Sequence, residues 1–213
     1  NRTVQGGMQL NHQLKVGKLG KNVLTFGSEF LQDSIRDLIP SYRYRVEQST
    51  KNWGSFVQSD WEWRKKLNLL SGLRLDFHNF LNQPVWSPRF ALLFKPSSTT
   101  QIRLNYGTGF RAPQAFDSDL HVAFAGGGVS RVRISPVLRE ERSKSWSSSL
   151  NFDYPSEKWI AGGTVEAFST QLNRVVVLEN VGVDSFGEIF EKRNGAGAKV
   201  EGITLEIRMN YAK

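Results

Sequence analysis

The chain contains no cysteine, which removes disulfides, thiolate metal sites and cysteine nucleophiles from consideration. Nowhere do 18 or more apolar residues run together, so no membrane-spanning helix is encoded. The first residues alternate polar with apolar instead of placing a basic patch before an apolar run, which is not the pattern of a secretory signal peptide. Gly-x-Ser-x-Gly is missing, and neither the serines of residues 143–149 nor the three histidines form a hydrolase pattern. Residues 126–128 are three glycines with no strand before them and no helix behind, so they are not a phosphate loop. No enzymatic role is expected.

What is present is charge and alternation. The net charge is +8 and the pI near 9.8, a balance that could serve nucleic acid by displacing counterions from phosphates. The basic residues, however, are scattered into turns and loop ends, as at Lys15, Lys18, Lys21, Arg64, Lys65, Lys66 and Lys95, and no basic helix or nucleic-acid motif accompanies them. Nucleic acid is therefore not an expected partner. The 213 residues allow one or two domains.

Period-2 patterning runs through the chain and predicts strands. Residues 4–16 set Val4, Met8, Leu10 and Leu14 against Gln5, Gln9, Asn11 and Gln13. After a Gly-rich turn at 17–22, Leu24, Phe26, Ser28 and Phe30 share a face, and residues 36–48 read as a longer polar connection. Trp53 to Trp63, Leu67 to Phe77 and Phe90 to Phe94 alternate in the same way. The most regular stretch, residues 101–108, puts Ile102, Leu104, Tyr106 and Thr108 on one face. It is expected to break at Gly109 and Pro113 into a long irregular loop reaching about Arg139. Strands are expected again from Trp146 to Tyr154, from Trp159 to Leu172 and from Ile203 to Tyr211, with a second long Gly- and Asn-rich segment over residues 173–197.

The expectation is all-β: an antiparallel up-and-down meander of about nine strands, most of them near the length of a tilted membrane-crossing strand. Connections alternate between short and long, as periplasmic turns and extracellular loops do in a transmembrane barrel. Trp61, Trp63, Phe94, Tyr154 and Trp159 lie close to the short turns, where an aromatic girdle stands. A barrel meeting anionic headgroups at its rims also accounts for the net positive charge.

Residues 101–116, QIRLNYGTGFRAPQAF, resemble the segment of TonB-dependent outer-membrane receptors in which a barrel strand rises to the surface and opens into an extracellular loop. Five further stretches resemble that family in its order. They are WGSFVQSDW at 53–61, GLRLDFH at 72–78, PRFALLFKP at 88–96, LREERSKS at 138–145, where Glu140 replaces the family's proline, and VEGITL at 200–205.

The resemblance implies that residues 1–213 form part of a transmembrane β-barrel of about 22 strands, with the plug domain and the remaining strands absent from this stretch. It implies location in the Gram-negative outer membrane, in contact with lipid and lipopolysaccharide. The ligand would be a scarce nutrient of the ferric siderophore, haem or cobalamin class, and energy would come from the TonB complex acting through the plug. An open sheet with two unpaired edges is expected to self-associate. Within the longest loop, Arg111, Asp117, Asp119, His121, Arg131 and Arg133 are the expected ligand-binding residues. Asp117, Asp119 and His121 sit close together, but such loop clusters are more often solvated than metal-bound, so no metal or cofactor is expected. Two other readings stay open at this point: a passive porin or anchor barrel, and a soluble all-β module that binds ligands with its loops.

Overall fold

A computed structural model describes residues 2–39, 44–63, 66–113, 131–185 and 187–211, apart from the side chains of Leu19, Asp37, Ile39, Tyr44, Val46 and Arg131. Among the described residues twelve strands follow one another: β1 (Arg2–Lys15), β2 (Lys21–Ile39), β3 (Tyr44–Trp63), β4 (Leu67–His78), β5 (Val85–Phe94) and β6 (Thr100–Arg111), then β7 (Arg131–Ile134), β8 (Glu141–Pro155), β9 (Trp159–Asn173), β10 (Val176–Asp184), β11 (Gly187–Asn194) and β12 (Ala198–Tyr211). Nine of them form one antiparallel sheet in the order β1-β2-β3-β4-β5-β6-β8-β9-β12, and β10, β11 and β7 make a separate three-stranded sheet. The all-β meander expected from the alternation is the architecture observed.

Register explains why the sheet has two chemically distinct faces. Leu10 stands opposite Phe26, Phe26 opposite Val57 and Val57 opposite Leu73; farther along, Leu92 faces Leu104, Leu150 faces Val165, and Val165 faces Leu205. Because side chains alternate with a period of two, each strand delivers its apolar set to the same side. That side is open: Met8 is 79% exposed and Ile203 and Ile207 are each 78% exposed. Among the described residues the buried hydrophobic side chains are Val85 and Ala112, whereas Asn22, Asp76 and Lys192 are almost wholly enclosed. A water-soluble protein distributes polarity the other way round, and an apolar band of this extent is stable where hydrocarbon replaces water.

Aromatic residues border the band at both ends. Near the short turns Trp63, Phe94, Tyr154 and Trp159 are exposed on the apolar face, and Trp159 packs on Tyr211 with ring centroids 4.6 Å apart. Phe30, Trp53, Phe77 and Trp146 form the opposite border, about 9–11 residues from the short-turn ends of their strands, which is one tilted membrane crossing. Phe30, Trp53 and Phe77 lie in one row across β2, β3 and β4, with Phe30 edge-on to Trp53 at 6.4 Å. The Trp53 indole N–H, which needs a partner at such a boundary, donates to Ser28 Oγ at 2.7 Å.

Three expectations from sequence are corrected. Residues 36–39 and 44–48, expected to belong to a polar connection, are strand, since β2 and β3 stay paired as far as Ile39 opposite Tyr44; residues 40–43 lie outside the described residues. The strand beginning at Thr100 does not end at Gly109; β8 carries it on to Arg111, with Gly109 opposite Ser143. Residues 173–197, read as a second long segment, hold the β10-β11 hairpin, and β11 pairs in parallel with β7 from the other long loop.

The β5-β6 ladder closes early. Its last pair is Arg89 with Gly107. The next residue, Pro88, turns its carbonyl to β6, where the Thr108 hydroxyl donates to it at 3.4 Å. Having no N–H, Pro88 cannot return a bond to Thr108. Residues 85–88 therefore follow β4 while 108–111 follow β8, and the sheet divides at its loop end.

Candidate functional site

On the polar face the same alternation gathers charge. Arg74 and Asp76, two residues apart on β4, point the same way. Arg74 Nε donates to Asp76 Oδ2 at 2.9 Å, and its Nη1 reaches Glu29 Oε2 on β2 at 2.7 Å. Asn52 Nδ2 donates to Asp76 Oδ1 at 2.9 Å. Asp76 is only 1% exposed, and these donors compensate the enclosed charge. The arrangement depends on Gly54, because a Cβ there would stand 2.0 Å from the Arg74 guanidinium. A cleft of about 430 Å³ runs from this cluster towards the loop end, lined by Asp33, Asn52, Arg74, Asp76, His78 and Arg111 among others.

At the loop end two adjacent glutamates tie the small sheet to the large one. Arg111 Nε, at the end of β6, meets Glu141 Oε2 at the start of β8 at 2.7 Å, and the other oxygen of Glu141 accepts the backbone N–H of Val176 at the start of β10. Glu140 receives Arg142 at 3.0 Å and Arg174 at 2.7 Å. Arg174 has φ of 58°, the one non-glycine residue with positive φ among those described, a conformation that persists only where its surroundings enforce it. Asn194 supplies part of that enforcement. It accepts the Arg139 N–H at 2.7 Å and donates to the carbonyls of Arg139 at 3.0 Å and Arg174 at 2.9 Å. Within the small sheet, Glu191 accepts Arg133 and Arg193, each at 2.7 Å.

Burial of Glu140 opposes its ionised form, but its bonds from Arg142 and its own backbone, with the charge of Arg174, outweigh that and hold the carboxyl below its ordinary range. The hydrogen bond from Arg193, opposed by burial and reinforced by Arg133, lowers Glu191 likewise, and the same bond raises the Arg193 guanidinium. Both carboxylates are thus ionised at neutral pH, and the loop-end platform is an ion-paired, ordered body. Between it and the β4-β5 turn lies a cleft of about 370 Å³ lined by Phe80, Leu81, Pro84, Arg139, Glu140 and Arg174 among others. Its mixture of guanidinium groups, one carboxylate and apolar walls suits reversible binding of a polar ligand and supplies no nucleophile or proton-transfer pair.

Of the residues singled out from sequence, Arg111 and Arg133 are described, and each is engaged by a carboxylate, Glu141 and Glu191 respectively. Arg131 begins β7, but its side chain lies outside the described residues, as do Asp117, Asp119 and His121 entirely. Among the described residues no group of three or more His, Asp or Glu is placed to hold a metal ion. Glu29, Arg174 and Asn194 were not singled out from sequence, and Arg74, Asp76, Glu140 and Glu141 entered only as parts of family-like stretches and not as site residues. The Arg-x-Asp spacing of residues 74–76 was a usable signal, since i and i+2 share a strand face. No comparable signal existed for Asn194, whose partners lie 20 and 55 positions away.

Comparison with known proteins agrees with this architecture. The protein-family model described as TonB dependent receptor-like, beta-barrel, matches residues 1–212. No curated protein sequence matches the chain. Among solved structures, the siderophore receptor PirA from Pseudomonas aeruginosa superposes with a TM-score of 0.77 at 21% identity over 96% of this chain and 39% of its own. A mutant of the ferric enterobactin receptor PfeA from Pseudomonas aeruginosa, in complex with enterobactin, gives 0.71 at 19% identity over 94% of this chain and 32% of its own. The hemophore receptor HasR from Serratia marcescens, solved with its hemophore HasA and heme, gives 0.72 at 16% identity over 99% and 39%. The chain spans about two fifths or less of the length of these receptors, and at such identities the superpositions speak for the fold. The family is one of transport receptors of the Gram-negative outer membrane and not of enzymes. With its match running along nearly the whole sequence and its strands forming an inside-out antiparallel wall, the chain belongs to the TonB-dependent receptor β-barrel family.

Proposed function

We propose that this chain is part of the wall of an outer-membrane receptor that binds an iron chelate or haem at its extracellular face and imports it with TonB-coupled energy. The chain contributes nine strands to a barrel of about 22, and the plug and remaining strands come from other parts of the receptor. The polar face of the nine-stranded sheet lines the lumen, and the loop-end platform faces the medium. The observation that carries this reading is the pairing of an exposed apolar band, bordered by two aromatic girdles, with an ion-paired platform at the long-loop end. Siderophore and haem receptors stand among the similar folds, which supports the iron-chelate and haem classes. Arg111 and Arg133, with Asp117, Asp119, His121 and Arg131 of the same stretch of sequence, are the proposed ligand contacts.

The receptor carrying this chain, purified in detergent, is to be titrated with ferric catecholate, ferric hydroxamate, haem and cobalamin. Saturable binding of one class, together with uptake that stops when the proton gradient is collapsed, is the expected result. Unsaturable flux of small solutes through the protein in liposomes, with none of the four ligands bound, points to a passive porin and overturns the proposal. Alanine at the six ligand-side positions that leaves binding and uptake unchanged removes those residues from the site.

The soluble-module reading is disfavoured physically. With Val85 and Ala112 the buried hydrophobic side chains among the described residues, the sheet has no apolar interior with which to fold in water.

A further inference from the structure

The cleft between the β4-β5 turn and the platform is lined by three arginines, and they are not in the same state. Arg142 and Arg174 both donate to one oxygen of Glu140, at 3.0 Å and 2.7 Å, and gather around a carboxylate that is only 15% exposed. Arg139, the residue before Glu140, is exposed and makes no ion pair among the described residues. Its freedom is confined to the side chain. Asn194 accepts the Arg139 N–H at 2.7 Å and donates to the Arg139 carbonyl at 3.0 Å, so one amide holds the backbone from both sides. A guanidinium on a clamped backbone has only its own torsions left to order when a ligand arrives. The β4-β5 turn supplies an apolar wall of Phe80, which is 40% exposed, Leu81 and Pro84. The carboxylate is a feature of this chain, because Glu140 stands where residues 138–145 depart from the pattern they otherwise resemble.

We propose that Arg139 meets the anionic group of the ligand in this cleft, and that Glu140 limits the negative charge the cleft accepts by holding Arg142 and Arg174. The proposal rests on the receptor reading above. It narrows the ligand to one that joins an anionic group to an apolar body and carries a low net negative charge. Three guanidinium groups against one carboxylate leave an excess of positive charge, which attracts an anion. Arg139 is the group able to offer a forked pair of N–H donors without breaking an existing bond. Arg142 and Arg174 engage a ligand only by leaving Glu140, and that strands a largely enclosed carboxylate. Glu140 also repels every negative charge on the ligand, so its opposition grows with ligand charge. A volume of about 370 Å³ suits one arm or edge of a chelate, with the apolar part against Phe80, Leu81 and Pro84. Arg139 is the binding residue, and Glu140 is a positioning residue that acts through its two partners.

The test compares the receptor carrying this chain, purified in detergent, with its R139A, E140Q and E140D variants. The probes are an uncharged ferric trihydroxamate, ferric haem, anionic through its propionates, and a trianionic ferric tricatecholate. R139A is expected to weaken whichever anionic probe binds by about tenfold and to flatten the salt dependence of that binding. E140Q is expected to tighten it by about threefold for each negative charge on the probe and to steepen the salt dependence, whereas E140D keeps the unmodified affinity. The sign separates the two roles of Glu140, since a merely structural carboxylate gives weaker binding when it is lost. Weaker or unchanged binding in E140Q, or unchanged binding of the anionic probe in R139A, overturns the proposal. Circular dichroism verifies the β fold of each variant. Binding of the uncharged trihydroxamate alone leaves the receptor reading standing and removes Arg139 and Glu140 from it. Binding of none of the three by the unmodified receptor overturns the receptor reading, and the charge selection falls with it.

Discussion

Arg111 and Glu141 close the loop end of the wall with a 2.7 Å ion pair between the last residue of β6 and the first of β8, and the same carboxylate also takes the Val176 N–H. One side chain thus joins two sheets. Glu141→Gln weakens the ion pair and leaves the start of β10 with a poorer acceptor. It is expected to lower the opening free energy of residues 176–194 by about 1–2 kcal/mol, seen as faster amide exchange there with β2-β4 unchanged. Unchanged exchange over 176–194 would show that the small sheet is held by other contacts.

The platform is expected to be acid-labile with a defined sign. Glu140 and Glu191 both have folded pKa values below their unfolded ones. Their contribution is therefore fully present above the unfolded value of about 4.3 and is lost as the pH falls through the lower folded values. Proteolysis within residues 131–194 is expected to be flat from neutral pH down to about 5 and to rise only below about 4.3. Loosening that sets in between pH 6 and 7 contradicts this assignment.

The two faces of β3 should respond oppositely to the same charge. Val57 lies on the apolar face between the girdles, and Gln58 on the lumen face. Val57→Arg is expected to cost about 2–4 kcal/mol of folding free energy in vesicles and Gln58→Arg much less, measured by urea titration of the inserted protein. Equal costs would mean that the apolar face does not meet lipid.

The division of the sheet at Pro88 makes a local prediction. Pro88→Val restores the N–H that the Thr108 carbonyl lacks, so the β5-β6 ladder is expected to extend by at least one pair. The readout is slower exchange of the Thr108 and Phe110 amides. No slowing would place the cause of the division elsewhere, in the divergent pull of β4 and β8.

How much of this was legible beforehand differs between elements. Strand identity was, because alternation is local: residues 4–16, 53–63 and 101–108 show it without reference to any partner. The turns were, because glycine with positive φ is a local demand; Gly20 sits at φ 98°, where a Cβ would also strike the Glu62 carbonyl at 2.1 Å. The lower girdle was legible because it adjoins those turns. The upper girdle was not, since Phe30, Trp53, Phe77 and Trp146 share a level only once register and strand length are fixed.

Long half-apolar strands joined by tight turns follow from the order of residues alone, since a period of two and a glycine's φ are properties of neighbouring residues. Tertiary structure decided the rest. Pairing carried β2, β3 and β6 beyond their apparent ends, because a polar strand persists wherever a partner satisfies its backbone. It brought β7 to β11 across more than fifty residues and assembled Glu140, Glu141, Arg174 and Asn194 into one body. Such contacts pay a loop-closure cost that only the completed sheet repays, so no short stretch of residues could have announced them.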